Sequence, residues 1–282
     1  MKLARVLTVG AHRIGNACLS LQFDHNLDQF DTTYVVTVLD SKRLDSVFKK
    51  YGIDTSRFEY IEDITLMSQY PDIAHWWIPG DRRGSWLRQQ ANKLAMIDLV
   101  DADVVFLQDA DAFCLRPYCS MVNGLPNLWC LPNVTQDWGY YKAFENVTGL
   151  PRQTEHCFVC DMMPVLKTDW LALKDLIHSR FDQPWLVTLI DQTPWDHVHN
   201  LKWFSEYEFL GNWYVSQHQD SVLTPQKRYE PKSLEDFTHR DLPKVVDCVV
   251  EKNPYGGILE FDYAQDEVLN FDAVWDRLQR FR

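Results

Sequence analysis

The residues best suited to chemistry form one short string, Val104-Val105-Phe106-Leu107-Gln108-Asp109-Ala110-Asp111-Ala112-Phe113. An apolar run ends in two carboxylates separated by one small residue. In an extended backbone, residues i and i+2 point to the same side. Asp109 and Asp111 can therefore aim at one point just beyond a buried strand. A hard divalent cation, Mg²⁺ or Mn²⁺, takes one or two protein carboxylates and fills its other positions with phosphate oxygens and water. A solvated turn after a strand yields the same Asp-x-Asp pattern. The context favours a site. The run is apolar enough for a strand covered on both faces, and in open α/β sheets ligands gather beyond the carboxyl ends of such strands.

Other polar residues sit where such a sheet presents ligands. Thr8, Gly10 and His12 follow an apolar run near the N-terminus, and Asp40 follows a second, where it can meet a ribose or base edge. Before the carboxylate pair, Trp86, Gln89, Gln90 and Lys93 are related by three- and four-residue steps and so share a helix face. A solvent-exposed face explains the amides and the lysine. The functional alternative is that Lys93 or Arg88 neutralises a diphosphate while the amides contact sugar hydroxyls. In Phe204-Ser205-Glu206-Tyr207-Glu208-Phe209 acidic and aromatic residues alternate, so Glu206 and Glu208 share a face if the segment is extended. A solvent-facing edge strand has the same pattern. Asp191 is another carboxylate after an apolar run. His156, His218 and His239 are scattered and read as ordinary polar residues.

The elements that must position these residues are legible as a series. Strands are expected at Val6–Val9, Tyr34–Leu39, Phe58–Ile61 and Val104–Leu107. Between them, helical spacing runs over Ala17–Phe30, Leu44–Tyr51 (stopped by Gly52) and Trp86–Val100. This alternation predicts an α/β fold with a mostly parallel sheet flanked by helices. The second half is less regular. Asn127–Leu131, Cys157–Met162 and Trp213–Val215 read as strands, and Asp169–Phe181 as a helix. No repeat or linker interrupts the chain, so one domain is expected over 1–282, with 1–117 as the ligand-binding half and 118–282 as the acceptor-side half.

Composition narrows the function classes. A net charge of −12 argues against broad, sequence-independent nucleic-acid binding, which needs a basic surface. It leaves room for a local basic patch around Arg82, Arg83 and Arg88. Aromatic residues make up 13% of the chain, and exposed ones can form sugar- or base-stacking platforms, although most serve the core. The apolar part of the first ten residues is too short for a signal-peptide core, and no run is long enough to span a membrane. A cytoplasmic location is expected. Seven scattered cysteines argue against a disulfide framework. Cys157-x-x-Cys160 has no second pair nearby to complete a zinc site. The sequons at Asn133 and Asn146 are read as coincidental without a secretory signal.

Three segments together carry a family resemblance: Trp86-Leu-Arg-Gln-Gln-Ala-Asn-Lys93-Leu94, Phe106-Leu-Gln-Asp109-Ala-Asp111-Ala-Phe113 with Arg116-Pro117, and Phe204-Ser-Glu206-Tyr-Glu208. They resemble the GT-A-fold glycosyltransferases, and within these a bacterial and phage group with a Trp-x-x-Gln-Gln-x-x-Lys-Leu helix, a DxD motif and a Ser-Glu-Tyr-Glu segment. His156 to Met163 is similar to that group's middle strand, and the likeness spans roughly residues 5 to 215. It implies a nucleotide-sugar donor, a UDP-sugar first, bound over the N-terminal sheet with Asp40 near the nucleoside and Asp109 at the diphosphate; by position alone Thr8, Gly10, Arg88, Gln90 and Lys93 join them as donor-binding candidates. It further implies Mn²⁺ or Mg²⁺ held on the diphosphate by Asp109 and Asp111. The chain lacks the C-terminal histidine motif of many such enzymes, which leaves His218 and His239 as the candidates for a third ligand.

The chemistry that follows is governed by charge. Breaking the anomeric carbon–phosphate bond leaves a nucleoside diphosphate with extra negative charge, which a divalent ion and a nearby Lys or Arg stabilise. An inverting enzyme needs a carboxylate to take the acceptor proton; Glu206 is the first choice and Asp191 the second. A retaining enzyme needs no such base. The acceptor is a hydroxyl of a saccharide or another molecule, a modified DNA base included. Two other classes compete: a metal-dependent nucleotidyltransferase or sugar-nucleotide hydrolase, and a non-catalytic carbohydrate-binding protein. The first usually carries a denser glycine-rich loop than Val9-Gly10-Ala11-His12-Arg13-Ile14-Gly15, and the second has no need of paired carboxylates.

Overall fold

Leu3–Val9 (β1) is buried along its whole length, as expected for a strand with helices on both faces. It pairs in parallel with Thr32–Thr37 (β2) on one side and with Val104–Asp109 (β4) on the other. β2 pairs in parallel with Phe58–Glu62 (β3). Met162–Leu166 (β8) closes the far side by running antiparallel to β4. The sheet order is therefore β3-β2-β1-β4-β8. The computed structural model describes residues 1–10, 13–23, 27–71, 82–110, 112–114, 119–131, 139–196, 201–202, 204–218, 220–225, 228–229 and 258–260.

Side-chain alternation along β1 divides the core in two. Leu7 and Val9 pack with Leu21, Val35, Leu44 and Phe48 on the face covered by Ile14–Phe23 (α1) and Ser41–Lys50 (α2). Ala4 and Val6 pack with Leu94, Ile97, Val105 and Leu107 on the other face. That second face is covered by Arg82–Leu99 (α4), which follows the short helix Asp63–Met67 (α3). Lys167 holds the carboxyl end of α4. Its ammonium donates to the carbonyls of Ile97, Asp98 (2.8 Å) and Val100 (3.1 Å), placing a cation where the helix leaves unpaired acceptors.

The remaining helices are Tyr140–Thr148 (α5), Lys167–Arg180 (α6), Trp185–Gln192 (α7) and Glu206–Gln217 (α8). Two small sheets complete the second half. One orders Val222–Pro225 (β11), Leu125–Cys130 (β7) and Met121–Val122 (β6). The other orders Arg228–Tyr229 (β12), Ile258–Glu260 (β13) and Ala112–Cys114 (β5). Trp195–Asp196 (β9) and Leu201–Lys202 (β10) form a two-residue antiparallel ribbon. Among the described residues no helix is long and apolar enough to cross a membrane.

The expected α/β alternation is present, with four corrections in the elements. The first helix ends at Phe23, and a single 3₁₀ turn, Leu27–Gln29, follows. The strand expected at Cys157–Met162 starts at Met162; Cys157 makes only an isolated bridge to Leu131. Trp213–Val215 lies inside α8, not in a strand. The Glu206–Phe209 segment is also helical. The acidic–aromatic alternation suggested a strand, but Ser205 caps the helix by accepting the Glu208 N–H at 3.3 Å. Ser-x-x-Glu before an apolar run is the capping pattern, and it was present in the sequence.

Candidate active site

The chain lays down β1, β2 and β3 outward in one direction, then returns to place β4 on the opposite side of β1. The strand order therefore reverses between β1 and β4, and in α/β sheets the crevice at such a reversal takes the ligand. Thr8 of β1 is in register with Asp109 of β4 at the carboxyl end of this crevice. The Asp109 N–H donates at 2.8 Å to the carbonyl of Asp161, which fixes the end of β4. Asp161 is buried and adopts a positive φ of 61°. A short polar side chain tolerates that conformation better than a branched one.

Over Asp109 lies α4, buried on every side from Gln90 to Ile97. The amide-and-lysine face is thus interior, which excludes the solvent-exposed reading at Gln90 and Lys93. The Lys93 side chain is 2% exposed. Its ammonium contacts Oδ1 of Asp109, donates to Oε1 of Glu206 at 2.6 Å and to the Tyr207 hydroxyl at 3.0 Å, and stands 4.4 Å from the Tyr207 ring centre. Gln89, one turn earlier on the same face, donates to Oδ1 of Asp109 at 3.0 Å. Both contacts to Asp109 use Oδ1. Among the described residues Oδ2 accepts no hydrogen bond, so it keeps lone pairs for a ligand.

Glu206 is held at both ends by α4. Its backbone N–H donates to Oε1 of Gln90 at 2.8 Å, and its carboxylate meets Lys93. Burial pulls the Lys93 ammonium down, but Asp109 and Glu206 outweigh that and hold its pKa above the ordinary value. Burial pushes the Glu206 carboxyl up; Lys93 opposes the rise and the charge of Asp109 adds to it. Among the described residues one ammonium faces two carboxylates, so the cluster has more acidic groups than basic ones. A carboxylate in an excess of acidic groups, with one oxygen that accepts no hydrogen bond among the described residues, fits a hard cation bound through oxygen. Asp111, expected to share that cation, lies outside the described residues, as does His239.

Several expected site residues fall elsewhere. Glu208, two positions after Glu206 and so about 200° around the helix, points away from Lys93. Its carboxylate accepts the N–H of Phe158 (2.8 Å) and the Asn212 amide (3.1 Å), with Arg152 at 3.7 Å. It pins the 150–160 loop to α8. Arg88 forms an ion pair with the buried Asp63 at 2.7 Å, toward α3, so that among the described residues Lys93 is the cation at Asp109. Gln90 is committed through its carbonyl to the backbone of Glu206. Asp191 is exposed on α7 rather than following a strand, and no described contact links it to the cluster. His218 is a correction on distance. It caps the carboxyl end of α8, twelve residues or about 18 Å along the axis from Glu206, and pairs with Asp169 at 2.8 Å. It cannot share an ion with Asp109.

Thr8, Gly10 and Asp40 lie along the expected sheet edge. The Thr8 hydroxyl is buried and makes no hydrogen bond among the described residues. Asp40 caps α2 by accepting the Arg43 N–H at 2.8 Å. Sequence reasoning passed over Tyr207 and Asp161. Tyr207 was hidden by the extended reading of its segment, which aims it away from Glu206. Nothing in the local pattern marks Asp161, whose carbonyl matters through a strand pairing 52 residues distant.

The same fold occurs in solved glycosyltransferases. The galactosyltransferase LgtC, in complex with donor and acceptor sugar analogs, matches 99% of this chain and 95% of its own at a TM-score of 0.53 and 10% identity. Mouse xyloside xylosyltransferase 1 in its apo form matches 92% of this chain and 97% of its own, at a TM-score of 0.50 and 10% identity. No protein-family model and no curated protein matches the chain. At such identities the likeness is one of fold: a mixed α/β architecture of the GT-A type, with a mostly parallel central sheet flanked by helices.

Proposed function

We propose that the protein is a metal-dependent glycosyltransferase that moves a sugar from a nucleotide-sugar donor, a UDP-sugar first, to an acceptor hydroxyl. The observation that carries this reading is the placement of Asp109, one carboxylate oxygen of which accepts no hydrogen bond among the described residues, and Lys93 together at the β1/β4 reversal of a GT-A-type sheet. Asp109 and Asp111 are the residues to hold Mn²⁺ or Mg²⁺. When bound, the ion would supply Lewis-acid stabilisation of the diphosphate oxygens. Thr8, Gly10 and Asp40 line the edge where the nucleoside would lie.

Lys93 and Glu206 divide the remaining work. As the anomeric carbon–oxygen bond breaks, charge grows on the leaving diphosphate and draws the Lys93 ammonium. Glu206 then loses its partner in a buried setting, which raises its proton affinity. It becomes the carboxylate that takes the acceptor proton, while the acceptor oxygen bonds to the anomeric carbon. Gln90 holds the backbone of Glu206 in place for that transfer.

The deciding experiment incubates the protein with a panel of nucleotide sugars and Mn²⁺ and measures released nucleoside diphosphate. Release that requires both metal and acceptor supports transfer. Pyrophosphate release in the presence of a sugar phosphate would point to a nucleotidyltransferase, and saccharide binding without any donor cleavage to a carbohydrate-binding protein.

A further inference from the structure

Behind Asp109, on the opposite face of β4, runs a buried polar chain that the reaction above does not use. Val105, Leu107 and Asp109 face α4, so Gln108 faces α1. Gln108 is fully buried there, as are Arg5 of β1 and Ser20 of α1. The Arg5 guanidinium donates to Oε1 of Gln108 at 3.5 Å and to the Thr33 hydroxyl at 3.1 Å, and lies 5.1 Å from the Phe30 ring centre. The Gln108 amide nitrogen donates to the Ser20 hydroxyl at 3.0 Å and, across the turn, to the Ala112 carbonyl at 2.8 Å. Ser20 donates to the same carbonyl at 2.7 Å.

The direction of this chain is fixed chemically. A guanidinium has only donors and a backbone carbonyl only lone pairs. Arg5 therefore takes the amide oxygen of Gln108 and Ala112 the amide nitrogen. Gln108 and Ala112 flank Asp109-Ala110-Asp111 in the sequence, and the bond between them closes that stretch from behind. Ala110, in the middle, is buried in the core with Ala17, Cys18 and Leu21 of α1. Positions 108, 110 and 112 are thus the anchored ones, and the carboxylates occupy the positions between. A leucine at 108 would fill the space against α1 without a buried polar network to satisfy. What the amide adds is a hold on the turn.

We propose that Gln108 and Ser20 are positioning residues that clamp the 109–111 turn from behind, so that it meets a divalent cation already shaped for it. This deepens the metal-dependent reading and rests on it. A turn fixed before the ion arrives loses little conformational freedom on binding, which raises affinity. Arg5 acts one step further back, by setting which end of the Gln108 amide faces the turn.

Two measurements on the whole protein test the clamp. One titrates Mn²⁺ in the presence of UDP and follows the paramagnetic resonance signal of the free ion, which binding removes. The other follows hydrogen exchange in a peptide spanning residues 108–114. Gln108→Glu keeps the size and can still pair with Arg5, but it sets an acceptor against the Ala112 carbonyl. Ser20→Ala removes the second donor from a different element. In each variant the Mn²⁺ dissociation constant should rise about tenfold, the scale on which residues that orient a ligand group from outside act. Exchange should quicken at the turn and stay unchanged in β1 and β2. Transfer should need more Mn²⁺ for half its maximal rate and regain kcat at saturation. Wild-type Mn²⁺ affinity in both folded variants would overturn the proposal. So would faster exchange through the whole sheet, the mark of a residue that only stabilises the fold. If the wild type binds no Mn²⁺, faster exchange confined to the turn in both variants would uphold the clamp and count against the metal reading alone; unchanged exchange would overturn the clamp as well.

Discussion

The ammonium of Lys93 and the carboxylate of Glu206 lie 2.6 Å apart in the interior, although 113 residues separate them in the chain. One sits mid-helix on α4 and the other opens α8. Their contact joins the N-terminal sheet, through Asp109, to the second half of the molecule.

Removing one member of such a cluster leaves uncompensated buried charge. Lys93→Met should destabilise the protein by about 3–5 kcal/mol, read as a lower urea midpoint at unchanged slope. Pairing it with Glu206→Met should recover part of the loss, because Glu206 then carries no desolvation cost while Asp109 still lacks its ammonium. A double variant as unstable as the single one would show that the ion pair is not the source of the effect.

Glu206→Gln tests the proton transfer separately from the fold. The substitution keeps size and a hydrogen-bond acceptor for Lys93. Turnover should fall by about 10² to 10⁴ while donor affinity stays near normal, and the wild-type linkage should show inverted anomeric configuration by NMR. Retention of configuration together with an active Gln variant would reassign Glu206 to holding Lys93.

Glu208 makes a prediction in pH. Burial raises its carboxyl above 4.5, against the opposing pull of the Phe158 N–H and Arg152. A carboxyl with a raised folded pKa binds its proton more tightly folded than unfolded. Its contribution is therefore full at low pH and is lost as pH rises through the folded value. Glu208→Gln should flatten the stability–pH profile above pH 4.5. Chemical denaturation at a series of pH values measures this, and an unchanged slope would place the titration elsewhere.

Gly211 tests the packing that carries α8. A Cβ there would meet the Phe158 ring at 2.2 Å, and Phe158 is fully buried. Gly211→Ala should cost about 1–3 kcal/mol through overpacking, despite the gain of up to about 1 kcal/mol in helix propensity. Gly211→Ala/Phe158→Leu should restore part of the loss. A more stable single variant by thermal melting would mean that the ring moves aside freely.

The elements with local signals were legible before any packing was known. Val104–Leu107 of β4 is a continuous apolar run, and β1 is apolar apart from Arg5 and Thr8, because strands buried on both faces need no polar alternation. The α4 pattern and its place before β4 set the parallel crossover, and Asp109 at a strand end follows from the same count. The capping pattern Ser205-x-x-Glu208 was equally local but was masked by a coincident two-residue alternation.

Which polar residues meet follows from how distant segments pack. Lys93, Arg88 and Gln90 lie on one helix and look alike as donor contacts, yet they go to Asp109 with Glu206, to Asp63 and to a backbone N–H respectively. Glu206 and Glu208 separate because a helix turns them about 200° apart, and His218 is carried to the far end of α8. Burial, ion pairing and hydrogen bonding depend on what a different part of the chain brings within about 3 Å. Periodicity in one segment records only which face is covered.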